Sequence, residues 1–185
     1  MSEQSNLLDY ENRERELAKV MFTYTSKISR LEFTPTCSYM RYDGVFYIGN
    51  KRCVFEIKVR DFPRLTYDEY ILEVKKLKNL THHYNNGYQV FYINIFKEDF
   101  DMYSAILFNL SRRIKNGFES DIIKKEMNEA TFKNKYNKTE KDVIMISYDS
   151  TIDSLLPNFI YKENKPKKQN PNYSSEKLFD DDWIG

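Results

Sequence analysis

At 185 residues the chain is long enough for one domain with a sizeable core, plus tails. Hydrophobic residues reach 41% and aromatic ones 16%, with 15 Tyr and 13 Phe, while 29 Lys+Arg against 28 Asp+Glu leave a net charge of only +1. Overall charge therefore gives no argument for a polyanionic partner. The first twenty residues, "MSEQSNLLDYENRERELAKV", mix acids and bases without an apolar segment, and no run reaches membrane-spanning length. A soluble, cytoplasmic protein is the expectation. Cys37 and Cys53 lack CxxC spacing and a neighbouring His, so both are expected as free thiols.

Taken in chain order, the pattern is mixed α/β without internal repeats. Residues 7 to 24 carry Tyr10, Leu17, Val20, Met21 and Tyr24 at helical spacing, which predicts an amphipathic first helix. Strands are predicted near 30 to 34, 42 to 48 and 51 to 60. A second helix is predicted over 66 to 83, where Thr66 and Glu69 form a capping-box pattern ahead of Tyr67, Tyr70, Ile71, Val74 and Leu77. Asn85-Asn86-Gly87 would close it. "YQVFYINIF" reads as a central strand, "YSAILFNLS" as the next, residues 119 to 130 as containing a helix, and "DVIMISYD" as the last strand. A body of residues 1 to 160 is expected, with residues 161 to 185, richer in Pro, Asn, Ser and Lys, as a flexible tail.

The stretch "YDGVFYIGNKRCVFEIKVRDF", residues 42 to 62, places Asp43, Glu56 and Lys58 inside apolar strands. If Gly49-Asn50 is a two-residue hairpin loop, Ile48 pairs with Lys51 and Asp43 falls opposite Glu56. Cys53, Phe55, Ile57 and Val59 would then face the core, with Val54, Glu56, Lys58 and Arg60 on the other face. Opposed Cβ atoms lie about 5 Å apart, so Asp43, Glu56 and Lys58 would form one patch. A four-residue loop would set Asp43 opposite Lys58, and a three-residue loop would break the arrangement. Two carboxylates this close call for a proton or a cation between them. Hard oxygen ligands suit Mg²⁺ or Mn²⁺, and the adjacent ammonium could orient a water. A solvated, salt-bridged sheet face explains the same residues. Glu-x-Lys also occurs at Glu73 and Glu163, and only the Glu56 copy lies in a β run with an Asp upstream.

On these residues the chain resembles the PD-(D/E)XK nuclease superfamily, whose Asp-x(n)-Glu-x-Lys motif they match. Tyr42 stands where the family's name has Pro. The predicted order resembles its restriction-endonuclease-like αβββαβ core, a mixed sheet flanked by helices, over roughly residues 10 to 100. Within the superfamily the likeness is to the Holliday-junction-resolvase-like and RecB-like branches, although no Gln-x-x-x-Tyr box is found. There a glutamate on the first helix joins the site. Glu14, three and seven residues before Leu17 and Met21, has the inward position for that. The resemblance implies a metal-dependent nuclease acting on DNA phosphodiesters with Mg²⁺, for which Mn²⁺ would substitute. Asp43 and Glu56 would hold the metal, the Ile57 carbonyl could add a ligand, Lys58 would position the attacking water, and Glu14 would bind a metal or its waters. A further Lys on the following helix is implied, with Lys75 and Lys78 as candidates. RNA as substrate and a homodimer both stay open. The alternative is a non-catalytic protein on the same fold that binds nucleic acid or a replication partner.

Other features speak less clearly. His82 and His83 would end the second helix, where a cationic ring complements the helix dipole. Residues 111 to 118 and 132 to 141 interleave Lys and Arg with Phe and Tyr, suiting a phosphate-tracking surface or a solvated helix face alike. The tail tip, Asp180, Asp181, Asp182 and Trp183, resembles the acidic end of single-stranded-DNA-binding proteins. Trp183 is the chain's single tryptophan, and the tip is expected to dock a protein partner or merely to solubilise.

Overall fold

The structure is a computed structural model and describes residues 3–35, 42–116, 122–128 and 138–162. Its elements are α1 (Glu3–Thr23), β1 (Ile28–Phe33), β2 (Gly44–Ile48), β3 (Lys51–Arg60), a 3-10 turn (Arg64–Thr66), β4 (Glu69–Glu73), α2 (Val74–Asn85), β5 (Gln89–Asp99), β6 (Met102–Asn109), α3 (Leu110–Lys115), β7 (Ile123–Asn128), β8 (Lys138–Ser147) and β9 (Ser154–Ile160). Cys37 and residues 163 to 185, including Asp180, Asp181, Asp182 and Trp183, lie outside the described residues. Cys53 is a buried free thiol, its pKa pushed up to about 11 by burial. Among the described residues no helix is long and apolar enough to cross a membrane.

Six strands build the main sheet in the order β1-β2-β3-β5-β6-β9, in which β3 and β5 run parallel and every other neighbouring pair is antiparallel. A parallel pair needs a crossover, and α2 supplies it. The result is the mixed, helix-flanked αβββαβ core expected from the sequence. The hairpin register is also as expected, Ile48 facing Lys51 and Gly44 facing Phe55. Gly49, at φ +58, takes the first place of the two-residue loop, where a tight hairpin turn favours glycine.

Both faces of this sheet are covered, a difference from the one-sided burial expected for β3. On one side Leu17, Ala18 and Met21 of α1, all 0% exposed, pack on Cys53, Phe55, Ile57 and Val59 together with Phe91, Ile93 and Ile95. Each large apolar side chain so buried contributes roughly 1.5–3 kcal/mol. On the other side Val54 joins Val74 and Leu80 of α2, Tyr92, Phe108, and Tyr70 and Leu72 of β4 in a second core. Tyr24, expected to face inward, falls just beyond α1 and is 57% exposed.

Two predicted helices are corrected. The segment 66 to 83 divides into the 3-10 turn, β4 and a later-starting α2, because Tyr70 and Leu72 are buried while their neighbours Glu69, Ile71 and Glu73 are not, the two-residue period of a strand. Thr66 caps no α-helix, and α2 begins after Glu73 without a side-chain cap. Asn86 and Gly87, the latter at φ +85, do end α2 as expected. In place of a helix within 119 to 130, residues 123 to 128 form β7, which pairs with β8, and β8 pairs with β4 in a second sheet ordered β4-β8-β7. β9 pairs with β6 ahead of the predicted tail, and Tyr161 still packs on Tyr103.

Candidate active site

The chain turns at Asp43, and the site follows from that turn. In a regular strand the N–H and C=O of one residue point to the same neighbour. The N–H of Asp43 donates to the Phe55 carbonyl of β3 at 2.9 Å, whereas its carbonyl accepts from the Thr34 N–H on the β1 side at 2.9 Å. β2 therefore stops pairing with β3 at Phe55, and the outer edge of β3 lies open from Glu56 onward. Open backbone groups inside a fold need partners. The Asp43 carboxylate takes the Ile57 N–H through Oδ2 at 2.7 Å. Glu14 of α1 takes the next N–H on that edge, from Val59, through Oε1 at 3.3 Å, and the Tyr10 hydroxyl donates to the Val59 carbonyl at 3.5 Å. The Ile57 carbonyl faces the same edge as its N–H.

Glu56 projects toward α2 and is 7% exposed. Its Oε1 meets the Lys76 Nζ at 2.6 Å, and its Oε2 is buried without a hydrogen-bond partner. The Lys58 ammonium lies 5.2 Å above the Tyr10 ring. Asp43, Glu56, Ile57, Lys58 and Glu14, the residues singled out from the sequence, all line one cleft of about 300 Å³, so the structure brings every one of them together. Lys75 and Lys78 do not reach it. They are exposed, and Lys76, which lies between them on α2, lines the cleft instead.

Several cleft residues were not anticipated. Met127 of β7 and Lys141 of β8 wall the cleft from the second sheet, opposite Tyr10 and Glu11 of α1. Beneath them Arg60 donates from Nε to Asn94 Oδ1 at 2.9 Å and from Nη2 to the Ile71 carbonyl at 3.2 Å and the Tyr92 hydroxyl at 3.1 Å. This network fastens β3, β4 and β5 together under the site. Only Arg60 had a signal in the sequence, sharing the strand face of Glu56 and Lys58; the second-sheet wall comes from strands whose pairing is remote.

Burial dominates the electrostatics. Desolvation raises the Glu56 carboxyl from its ordinary 4.5 to about 8, with the Asp43 charge adding to the rise and Lys76 opposing it. Desolvation likewise raises Glu14 to about 7 against the pull of Lys58, and raises Asp43 against the hydrogen bond from Ile57. Lys76 loses solvation too, but the Glu56 carboxylate outweighs this and holds its pKa above the ordinary value. Three neighbouring acids that resist ionising are eased by protonation or by a nearby positive charge.

The donors suit a hard divalent ion. Glu56 Oε2 lacks a partner, Asp43 has one oxygen beyond the Ile57 N–H, and the Ile57 carbonyl shares the open edge. Among the described residues no three acidic, His or Cys side chains converge tightly enough to chelate a metal by themselves. Mg²⁺ asks for no such cage: one or two carboxylates, with water and substrate oxygens, complete its shell.

No family model matches the sequence, and no curated protein matches it. Among solved structures the chain is similar to Hjc, a Holliday junction resolvase from the archaeal hyperthermophile Archaeoglobus fulgidus. The identity is 12% and the TM-score 0.41, with 72% of this chain and 87% of that chain covered.

Proposed function

We propose that the protein is a divalent-metal-dependent nuclease that hydrolyses phosphodiester bonds in DNA. The observation that carries this reading is the buried Glu56 oxygen without a hydrogen-bond partner, beside the Asp43 carboxylate, on the floor of an open cleft. A buried polar atom left unsatisfied is costly, and a cation relieves it. Asp43, Glu56 and the Ile57 carbonyl would hold Mg²⁺, with Mn²⁺ as a substitute. Such an ion supplies charge neutralisation on a phosphate oxygen and acidifies a water.

The chain's own groups do the rest. The Lys58 ammonium, stationed over Tyr10 next to Glu14, positions the attacking water. The Glu14 carboxyl, raised to about 7 by burial, suits taking that water's proton near neutral pH. Lys76 holds Glu56 while no metal is bound and can turn to substrate phosphate when one is.

The alternative, a non-catalytic nucleic-acid-binding protein on the same fold, has the Lys76–Glu56 ion pair in its favour, since an ammonium then permanently stands in for the metal. Incubating the protein with labelled DNA and RNA in Mg²⁺, Mn²⁺, Ca²⁺ or EDTA separates the two. Cleavage of DNA in Mg²⁺ and Mn²⁺ that stops in EDTA and in Glu56→Gln supports the nuclease. Binding without cleavage in any metal supports the alternative.

A further inference from the structure

The cleft does not end at its floor. Lys58, Ile71, Glu73, Met127 and Lys141 line both the cleft and a second concavity of about 410 Å³ beneath the β7–β8 ribbon, which makes one continuous groove. The ribbon's two faces differ in charge logic. On the outer face Lys124 pairs with Glu140 at 2.7 Å and Lys138 with Glu126 at 3.5 Å, so that face is self-neutralised. The strand register sets Lys125 directly opposite Lys141 on the other face. Like charges directly opposed across an antiparallel pair are destabilising. Lys141 is eased by Glu73 at 3.0 Å, and among the described residues Lys125 has no ion pair. The concavity presents Lys58, Lys125 and Lys141 against Glu73, with the self-compensating Lys138–Glu126 pair at its rim, a local positive excess in a chain whose net charge is only +1. At the inner end Arg60 is pinned by Asn94, Tyr92 and the Ile71 carbonyl, and among the described residues no carboxylate pairs with it.

We propose that this groove is a phosphate track: the backbone of the nucleic-acid strand entering the cleft runs from Arg60 in the floor to the Lys125–Lys141 pair at the mouth, and anionic oxygens relieve the opposed lysines. The proposal rests on the nucleic-acid reading above and adds the second sheet as its gripping surface. The ligand chemistry is the phosphodiester backbone, which single strands and duplexes share.

The test is fluorescence anisotropy of a labelled DNA oligonucleotide, single-stranded and as a duplex, titrated with the full chain in EDTA over a range of salt concentrations. Metal and catalysis play no part in it. Lys125→Ala/Lys141→Ala should weaken binding about ten-fold at low salt and flatten the dependence on log salt by about one to two. The exposed Lys125→Ala alone should show a smaller loss in the same direction, independent of any effect of Lys141 on folding, and Lys124→Ala on the outer face should change nothing. The form bound more tightly by the wild type identifies the source of the backbone. Equal binding by wild type and double variant, or an equal loss in Lys124→Ala, overturns the track and leaves the nuclease reading standing. No binding of either oligonucleotide by the wild type overturns both.

Discussion

A carboxyl group as enclosed as that of Glu56 holds its proton more tightly than it would in water, and the direction of that preference fixes a pH dependence. In the unfolded chain it ionises near 4.5, in the folded protein near 8, so between those values the folded state binds more protons. Its contribution to stability is fully present below pH 4.5 and is lost as pH rises through 8. Glu56→Gln removes the ionisation. In metal-free buffer its advantage over wild type in thermal melts should grow from near zero at pH 4.5 to at least about 1 kcal/mol at pH 8.5, roughly 2–4 °C for a chain of this size. An advantage that is flat across pH would show that burial does not govern this group. Lys58 makes a different demand. Lys58→Ala should reduce cleavage by about two orders of magnitude or more. Lys58→Arg should not restore it, since a planar guanidinium cannot replace a compact ammonium poised over Tyr10. Single-turnover cleavage measures both, and near-wild-type rates in either variant would remove Lys58 from the chemistry.

The β2–β3 hairpin was legible because its determinants are local. Gly49-Asn50 sets the loop and the loop sets the register as far as Gly44 opposite Phe55, whereas Asp43, expected opposite Glu56, turns out of the pairing and joins Glu56 and Lys58 in the cleft by taking the Ile57 N–H. Gly44 adds a constraint that the sequence did not reveal. A Cβ there would stand 2.5 Å from Phe55 Cζ and 2.6 Å from the Glu32 carbonyl oxygen, a backbone atom that cannot step aside. Gly44→Ala should therefore destabilise the protein by about 1–3 kcal/mol in denaturant unfolding, and it should weaken metal binding, because the strain falls next to Asp43. Unchanged stability would mean that β1 and β2 part easily at this point. β4 was missed for a physical reason. Tyr67, Tyr70, Ile71, Val74 and Leu77 fit a helical period, while Tyr70 and Leu72 fit a strand period in the same few residues. What decides is β8, some seventy residues further on, which pairs Leu72 with Ile144. Leu72 is 1% exposed in the second core, so Leu72→Ala should cost about 2–5 kcal/mol by the same unfolding measurement, a loss that a solvated helical position would not show. Lys75 and Lys78 came from the resemblance alone, with nothing local to choose among the lysines of α2, and it is Lys76 that lines the cleft.

Across the molecule, the main sheet is a rigid plate with a core on each face, and the site sits where that plate is left incomplete, at the open edge of β3. α1 closes one side of the opening and the second sheet the other. Composition gave no hint of this polarity: a net charge of +1 hides a cluster of enclosed acids beside a concavity in which lysines outnumber carboxylates. Metal should couple to the whole fold, because an ion that binds only the native cleft stabilises it by mass action and must displace the proton that Glu56, raised to about 8, holds near neutral pH. The most direct measurement is calorimetric titration of the full chain with Mn²⁺ near pH 7, repeated in two buffers of different ionisation enthalpy so that proton release is counted. Wild type should take up Mn²⁺ with release of about one proton or more, and Asp43→Asn and Glu56→Gln should each abolish the binding while remaining folded. No heat of binding at millimolar Mn²⁺, or binding that survives in both variants, would contradict a metal centre built on these two carboxylates.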